Sequence, residues 1–584
     1  MKRYFIIVLS AAVLSLGLVG CQKFTDDILD GDPLTSFTKS NYFTSETNVS
    51  LFANYFYNEW SGYGNSGSYG SYYFPTLNDN QTPTGYTEWN FTSVPASNGT
   101  WSSCYTEIRR ANILIEALPG ISSMTDAAKD NWEGIARLYR AWQHYCLVRT
   151  FGDCYWVSKV LDTGDEDILF GPRTDRDIVM DNVLEDLNFA VSHITANATS
   201  RTAYNASVAQ AMKSEICLYE GTFCKYRSSA DGQKAADATR AAKYLNECKT
   251  ASKALMDNSN YALSKSYRAV YNSLDLSNSD ATKEMIMYKK YVDGILGHSV
   301  IDYTCGSTQT NGMTKDAFDS YLFKDGECLA NTRLNTNDHG VRKSITPGTY
   351  ADARDYVIDI SDVLANRDPR LAESIDAVLF YPGIGYRRYA LGAEATSSTG
   401  YGVMKFDTPL FTDATARNAI GRGQTDAPIF WLANVILNYA EACAETDDAA
   451  NAVNAVNLLR ARAGMPNLTA SPKADPANNM GVSNLIWEVR RERRVELMFD
   501  NNDRYWSMIR WHQLDKLDQT KYPNLSKGAW VGDFSHSEVD VDANGYISTL
   551  NGKTGRVYDK KHYLAPIPSG QITLNAAVGQ NPGW

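Results

Sequence analysis

The sequence predicts a mainly α-helical fold in which two blocks of paired helices carry a loop-rich, mixed second lobe. Three observations predict it. Apolar residues recur at helical spacing from Trp101 to about Met256. The same period returns from Ile429 to Leu459, near the other end of the chain. Between the blocks the pattern breaks into short apolar runs separated by Gly, Asn, Asp and Ser.

The chain opens with Lys2 and Arg3 before an apolar stretch from Tyr4 to Val19, the pattern of a secretory signal over residues 1–20. A membrane span needs ~20 apolar residues, and no later segment offers them. Leu18-Val19-Gly20-Cys21 resembles the lipobox of bacterial lipoproteins. That resemblance implies lipidation at Cys21 and several acyl chains on one residue, a stable anchor. Residues 21–45 then read as anchor and polar tether. The pair Asp26-Asp27 resembles signals that send lipoproteins to the outer surface, so the expected location is the outer membrane, facing the exterior.

Composition describes a folded body on this tether: 43% hydrophobic and 21% charged residues support a core. Loss of Lys2 and Arg3 with the signal moves the formal charge from −11 to −13. An acidic chain is a poor match for nucleic acid or an anionic membrane surface as its main partner. Aromatics make up 12% of the chain, with 36 Tyr, 12 Trp and 20 Phe, which places many outside the core. Nine cysteines remain besides Cys21, an odd number, and no C-x-x-C occurs. Cys146, Cys217 and Cys443 fall on apolar helical faces and read as small buried hydrophobes. Cys305 with Cys328 is the one bridge considered.

The first block, 46–260, holds stripes such as Ile135, Leu138, Tyr139, Trp142 and Cys146. In the second, 427–520, Ile429, Leu432, Ala433, Ile436, Leu437, Ala440 and Ala444 form one stripe. A second helix follows with Val453, Val456 and Leu459 inward, Gly464 as its stop and Pro466 beyond. Such pairs, with small Ala440 and Ala455 at close crossings, fit tetratricopeptide-like units of ~34 residues. An irregular helical bundle is the alternative. Residues 261–426 form the loop-rich lobe, with 383–386, 397–402 and 422–424 as turn chemistry. The final segment, 521–584, is irregular apart from a hairpin turning at Asn544-Gly545.

A second irregular segment, 60–100, is the most informative for function. It interleaves Tyr63, Tyr69, Tyr72, Tyr73, Phe74, Tyr86, Trp89 and Phe91 with Gly, Ser and Asn, the composition of adaptable recognition loops. Aromatic plates cover the C–H face of a sugar ring while amides and carboxylates satisfy its hydroxyls. The alternative use of these rings is to pin the loop to the helices.

Catalytic machinery is not legible. The seven histidines are scattered with no H-E-x-x-H, and no G-x-S-x-G occurs. Gly552-Lys553-Thr554 lacks the earlier glycine of a phosphate loop, where Ile547 stands. Asp540-Val541-Asp542 opens like a calcium loop, but Asn551 occupies the position of the bidentate glutamate. No metal or cofactor is expected. Paired carboxylates for glycoside hydrolysis remain open in an acid-rich chain. The run Glu488 to Leu497 reads as a self-neutralising helix with i,i+3 pairs Glu488–Arg491 and Arg493–Glu496.

That run extends to a longer pattern. Arg491-Glu492-Arg493-Arg494-Val495-Glu496-Leu497-Met498-Phe499, followed by Arg504-Tyr505-Trp506 and Ile509-Arg510-Trp511, resembles the characteristic segment of SusD/RagB proteins. Ala440-Glu441-Ala442, the stretch Ala455 to Pro466, the ending Tyr563 to Pro568 with Gln580 to Trp584, and Trp101, Tyr105 and Ile108 to Asn112 match in the same order. The resemblance implies four tetratricopeptide-like units under a ligand-presenting lobe. It further implies a lipid-anchored binder that passes oligosaccharides to a SusC-like TonB-dependent transporter, without catalysis or cofactor. By position it implies ligand contacts at Asp79, Asn80, Tyr86, Trp89 and Asn90, with Tyr303 and Tyr321 from the middle lobe. A peptide-binding RagB-like receptor and a surface glycoside hydrolase are the alternatives.

Overall fold

Short polar side chains start the long helices by capping their first free amides. Asn98 accepts from the amide of Trp101 at the head of α2 (Gly99–Ala117), after the short α1 (Glu46–Ala53). Thr125 caps α3 (Asp126–Phe151), Asp175 caps α4 (Arg176–His193), Asn205 caps α5 (Ala206–Tyr226) and Asp237 caps α6 (Ala238–Met256). These positions come from a computed structural model that describes residues 42–195, 200–305, 311–346, 356–382, 395–532 and 539–584. The signal, Cys21, most of the tether and the loop 383–386 lie outside the described residues.

Successive helices pack side by side, α2 on α3, α3 on α4, α4 on α5 and α5 on α6. The last pair comes close because Gly221 has no side chain: a Cβ there would sit 2.7 Å from Cγ of Leu245. Short α7 (Val300–Cys305) lies in the middle lobe. α8 (Leu432–Glu445) packs on both α6 and α9 (Ala449–Ala463), so the two helical blocks form one continuous stack. α9 ends as expected at Gly464, whose φ of +69° is the left-handed stop. α10 (Asn484–Glu496) and α11 (Asp503–Arg510) complete the scaffold. No helix among the described residues is long and apolar enough to cross a membrane.

The lobe is built on short antiparallel strands. A hairpin, β1 (Gly64–Asn65) with β2 (Ser68–Tyr69), precedes β3 (Gln81–Pro83). β3 pairs with middle-lobe strand Asn311–Met313, tying the two irregular regions together. Strand Met285–Lys289 pairs with Ala427–Trp431. Ile429, expected on the helical stripe, therefore belongs to a strand, and the helix starts only at Leu432. An isolated stretch of buried apolar residues has no period of its own to separate the two. The 544–545 turn forms the expected hairpin, with Gly545 at φ +88°.

Two further expectations change. Cys305 and Cys328 are both free thiols, as are the other seven described cysteines. The arginine-glutamate helix does not neutralise itself throughout. Glu488–Arg491 forms at 3.3 Å, but Arg493 pairs with Asp503 at 2.7 Å, and Glu496 pairs with Arg370 at 2.9 Å and with Arg462. Its charged faces are buried between α8, α9 and the lobe, so each charge finds its partner across an interface.

Candidate functional site

The aromatic run between residues 60 and 75 divides in two. Tyr63, Tyr72 and Tyr73 turn inward and are fully buried. The Tyr63 hydroxyl donates to the carbonyl of Tyr271 at 2.7 Å, and that of Tyr72 to the carbonyl of Pro428 at 2.6 Å. These bonds satisfy the polar tips that burial would otherwise leave unpaired.

Tyr69 and Phe74 face outward. Tyr69 is 58% exposed on the hairpin, and its ring stacks on Phe74 with centroids 4.5 Å apart and planes 24° apart. Tyr303, on α7 of the middle lobe, meets both rings edge to face at 5.3 Å. The Tyr303 and Tyr69 hydroxyls share a hydrogen bond, which together with partial burial pushes the Tyr303 phenol up to about 12.

The hairpin is held in place by local chemistry. Asn65 Oδ1 accepts from the amide of Gly67 at 2.8 Å and the hydroxyl of Ser68 at 3.1 Å, closing the turn. Its tip leans on the turn at Gly421, φ +77°, where a Cβ would lie 2.5 Å from that of Ser66. That turn is itself fixed by the Gly421 amide donating to Ser299 Oγ at 3.0 Å. Arg422 and Asp293 form an exposed ion pair at 2.7 Å beside it. Next to Tyr303, burial pushes the Asp302 carboxyl up to about 7. The result is a three-ring platform with a polar rim, able to stack on a flat apolar face and bond to its edge.

Two sequence profiles cover most of the chain: the SusD family matches residues 283–584, and a SusD-like group described as starch-binding and associating with the outer membrane matches 35–218. The chain belongs to the SusD/RagB family. Solved structures agree with this in fold. A SusD-like protein from Bacteroides fragilis NCTC 9343 is 20% identical with a TM-score of 0.62, over 95% of this chain and 100% of that one. A SusD-like carbohydrate-binding protein from the same strain is 19% identical with a TM-score of 0.64, over 92% and 100%. A SusD superfamily protein from Parabacteroides distasonis ATCC 8503 is 16% identical with a TM-score of 0.58, over 93% and 100%. No curated protein matches significantly.

Within this SusD-like fold the residues expected at the site do not all meet. Tyr303 joins the platform. Asp79 and Asn80 are buried beneath the loop: Arg504 clasps the Asp79 carboxylate with two bonds of 2.7 Å, and Arg494 reaches it at 3.3 Å and Asn80 Oδ1 at 2.9 Å. Burial alone would raise the Asp79 carboxyl, but Arg494 and Arg504 outweigh it and hold it well below the usual range. Tyr321 is fully buried, its hydroxyl bonded to Ser374 Oγ at 3.2 Å.

Trp89 and Asn90 lie apart from the platform on the wall of a small cavity, which Tyr86 does not line. Trp89 is half-buried, stacks on His562 at 4.2 Å and donates to the carbonyl of Val557 at 2.7 Å. The cavity beside it is about 40 Å³, room for about three waters at ~10–15 Å³ each. Tyr69 and Phe74, by contrast, stand out in the sequence only as members of the aromatic 60–100 segment. Their signal was local: Tyr69 sits between Ser68 and Gly70, small flexible neighbours that free a ring from packing.

Proposed function

We propose that this chain is a cell-surface glycan-binding lipoprotein that captures oligosaccharides on Tyr69, Phe74 and Tyr303 and delivers them to a SusC-like TonB-dependent transporter. The observation that carries the reading is the stack of exposed Tyr69 on half-buried Phe74, met edge-on by Tyr303 from the other irregular region. The part of these rings left in water gains apolar burial under a sugar face. Similarity of fold to a SusD-like carbohydrate-binding protein supports the same reading. Anchoring through Cys21 in the outer membrane, facing the exterior, completes the proposal.

Tyr86, Trp89 and Asn90 would act as a second, smaller contact patch. Asp79, Asn80 and Tyr321 would act from beneath, by holding the loops that carry the contacts. Electrophoresis of the purified protein in native gels containing a panel of polysaccharides tests the reading. Retardation by at least one polysaccharide, with the glycan recovered at full length, is expected. Mobility unchanged by every polysaccharide, together with retention on immobilised peptides, would transfer the role to a RagB-like peptide receptor.

A further inference from the structure

A cavity of about 290 Å³ lies between the 60–75 loop and the helical scaffold, at the low end of the ~300–1,000 Å³ typical of small-molecule sites. α3, α5, α8 and the turn 499–503 contribute to its walls. It is distinct from the platform of Tyr69, Phe74 and Tyr303, none of which lines it.

Its charges are unevenly paired. Arg493 is held by Asp503 at 2.7 Å and Arg510 by Glu441, so both are neutralised within the protein. Three charged groups on its wall have no ion pair among the described residues; one of them, Glu59, accepts hydrogen bonds from Trp142 Nε1 and Gln143 Nε2, each at 2.8 Å. Among the described residues Arg149 has no carboxylate within ion-pair distance, and Glu215 has neither an ion pair nor a hydrogen bond. Arg149 lies over the rings of Trp506 at 4.3 Å, Tyr145 at 4.9 Å and Trp142 at 5.5 Å. Such stacking covers the flat faces of the guanidinium; Nη2 donates once, to Cys146 Sγ at 3.5 Å, and the remaining Nη donors are left for an acceptor.

Unpaired neutral groups line the same cavity. Asn434, only 8% exposed, has an amide oxygen without a partner, and the indole N–H of Trp431, 1% exposed, also lacks one. A buried polar group without a partner costs ~1–3 kcal/mol, and the partly buried Arg149 and Glu215 add two charges without a counter-ion, so the cavity calls for an occupant. With the Glu59 carboxylate held by those two donors, Glu215 and Arg149 leave one anion and one cation facing this space, complementary to a molecule that carries both charges.

We propose that this cavity binds a small zwitterion, a free α-amino acid, with its carboxylate on Arg149 and its ammonium on Glu215. A polyol would leave both charges unmatched, and a metal ion would face the Arg149 cation. Burial pushes the Glu215 carboxyl up while Arg149 draws it back, so a bound ammonium would stabilise its charged form.

The test is titration of the full mature chain with the common L-α-amino acids, read by tryptophan fluorescence and by melting temperature. Trp60, Trp142, Trp431 and Trp506 all line the cavity and report on its occupancy. At least one amino acid should give a saturable fluorescence change and a higher melting temperature. Its N-acetyl derivative and its methyl ester, each lacking one charge, should bind about tenfold more weakly or worse. Glu215→Gln should weaken the amino acid while leaving polysaccharide retardation unchanged, which separates this site from the aromatic platform. The proposal is overturned if no amino acid produces a saturable change, since the cavity then holds water only. It is equally overturned if the acetylated or esterified compounds bind as well as the parent, a result that does not depend on any variant folding.

Discussion

The backbone amide of Tyr73 donates to the carbonyl of Phe499 at 3.0 Å, and both residues hold a left-handed backbone, φ +63° and +69°. Non-glycine residues avoid that region, so two of them meeting at one hydrogen bond mark a joint that the surrounding packing enforces. The joint fastens the outward-facing loop to the turn between α10 and α11. Downstream of it the chain turns Phe74 out to the platform; upstream it keeps Tyr72 in the core.

That joint predicts a steep gradient of amide exchange within a few residues. The Tyr73 amide, bonded and buried, should exchange slowly, whereas the exposed Ser66 amide in the hairpin turn should exchange near the unprotected rate. Hydrogen–deuterium exchange read by mass spectrometry resolves the two. Equal rates would mean that the platform is not held by the turn.

Tyr69→Ala should weaken polysaccharide binding by ~1–3 kcal/mol, the range for an anchoring aromatic at an interface. Because Tyr69 is exposed, the melting temperature should stay close to that of the unaltered protein. Trp89→Ala should do the reverse in part, lowering stability through its lost stack on His562 and its bond to Val557. Gel retardation paired with thermal unfolding reads both effects.

Asp79→Asn should destabilise the protein by ~3–5 kcal/mol, since it leaves Arg504 and Arg494 buried against a neutral amide. The sign of the pH effect follows from the depressed folded-state carboxyl. Its stabilisation is complete above the unfolded pKa of ~3.9 and is lost as pH falls through the lower folded value. Urea unfolding between neutral pH and strong acid should therefore show a shallower acid loss in the variant.

Asp302 titrates in the opposite sense. Its folded-state carboxyl is pushed up to about 7 by burial, so the native state holds a proton that the unfolded chain has released. Stability from this group is present below pH ~4 and declines as pH rises towards 7. Asp302→Asn should remove that decline and raise stability at pH 7.5 relative to the unaltered protein. Denaturant midpoints at pH 5 and pH 7.5 provide the measurement.

Much of the scaffold was legible because its signals are local. A stop such as Gly464 and the period running through Ile135, Leu138 and Trp142 each act within a few residues. The site was legible only as a segment. Asp79 and Tyr69 stand ten residues apart in one polar, aromatic stretch, and nothing local separates the carboxylate that Arg504 buries from the ring left in water.

The amino-acid sequence by itself determined the helical blocks, the loop-rich regions between them and the family pattern around Arg491 to Trp511, because periodicity, caps and turn residues are properties of neighbouring positions. Only the tertiary structure decided which aromatics face out, which acid each arginine of α10 finds, and that Tyr303 closes on Tyr69 and Phe74 across 234 residues. Those choices depend on which surfaces the packed helices cover, and burial is set by the whole chain at once.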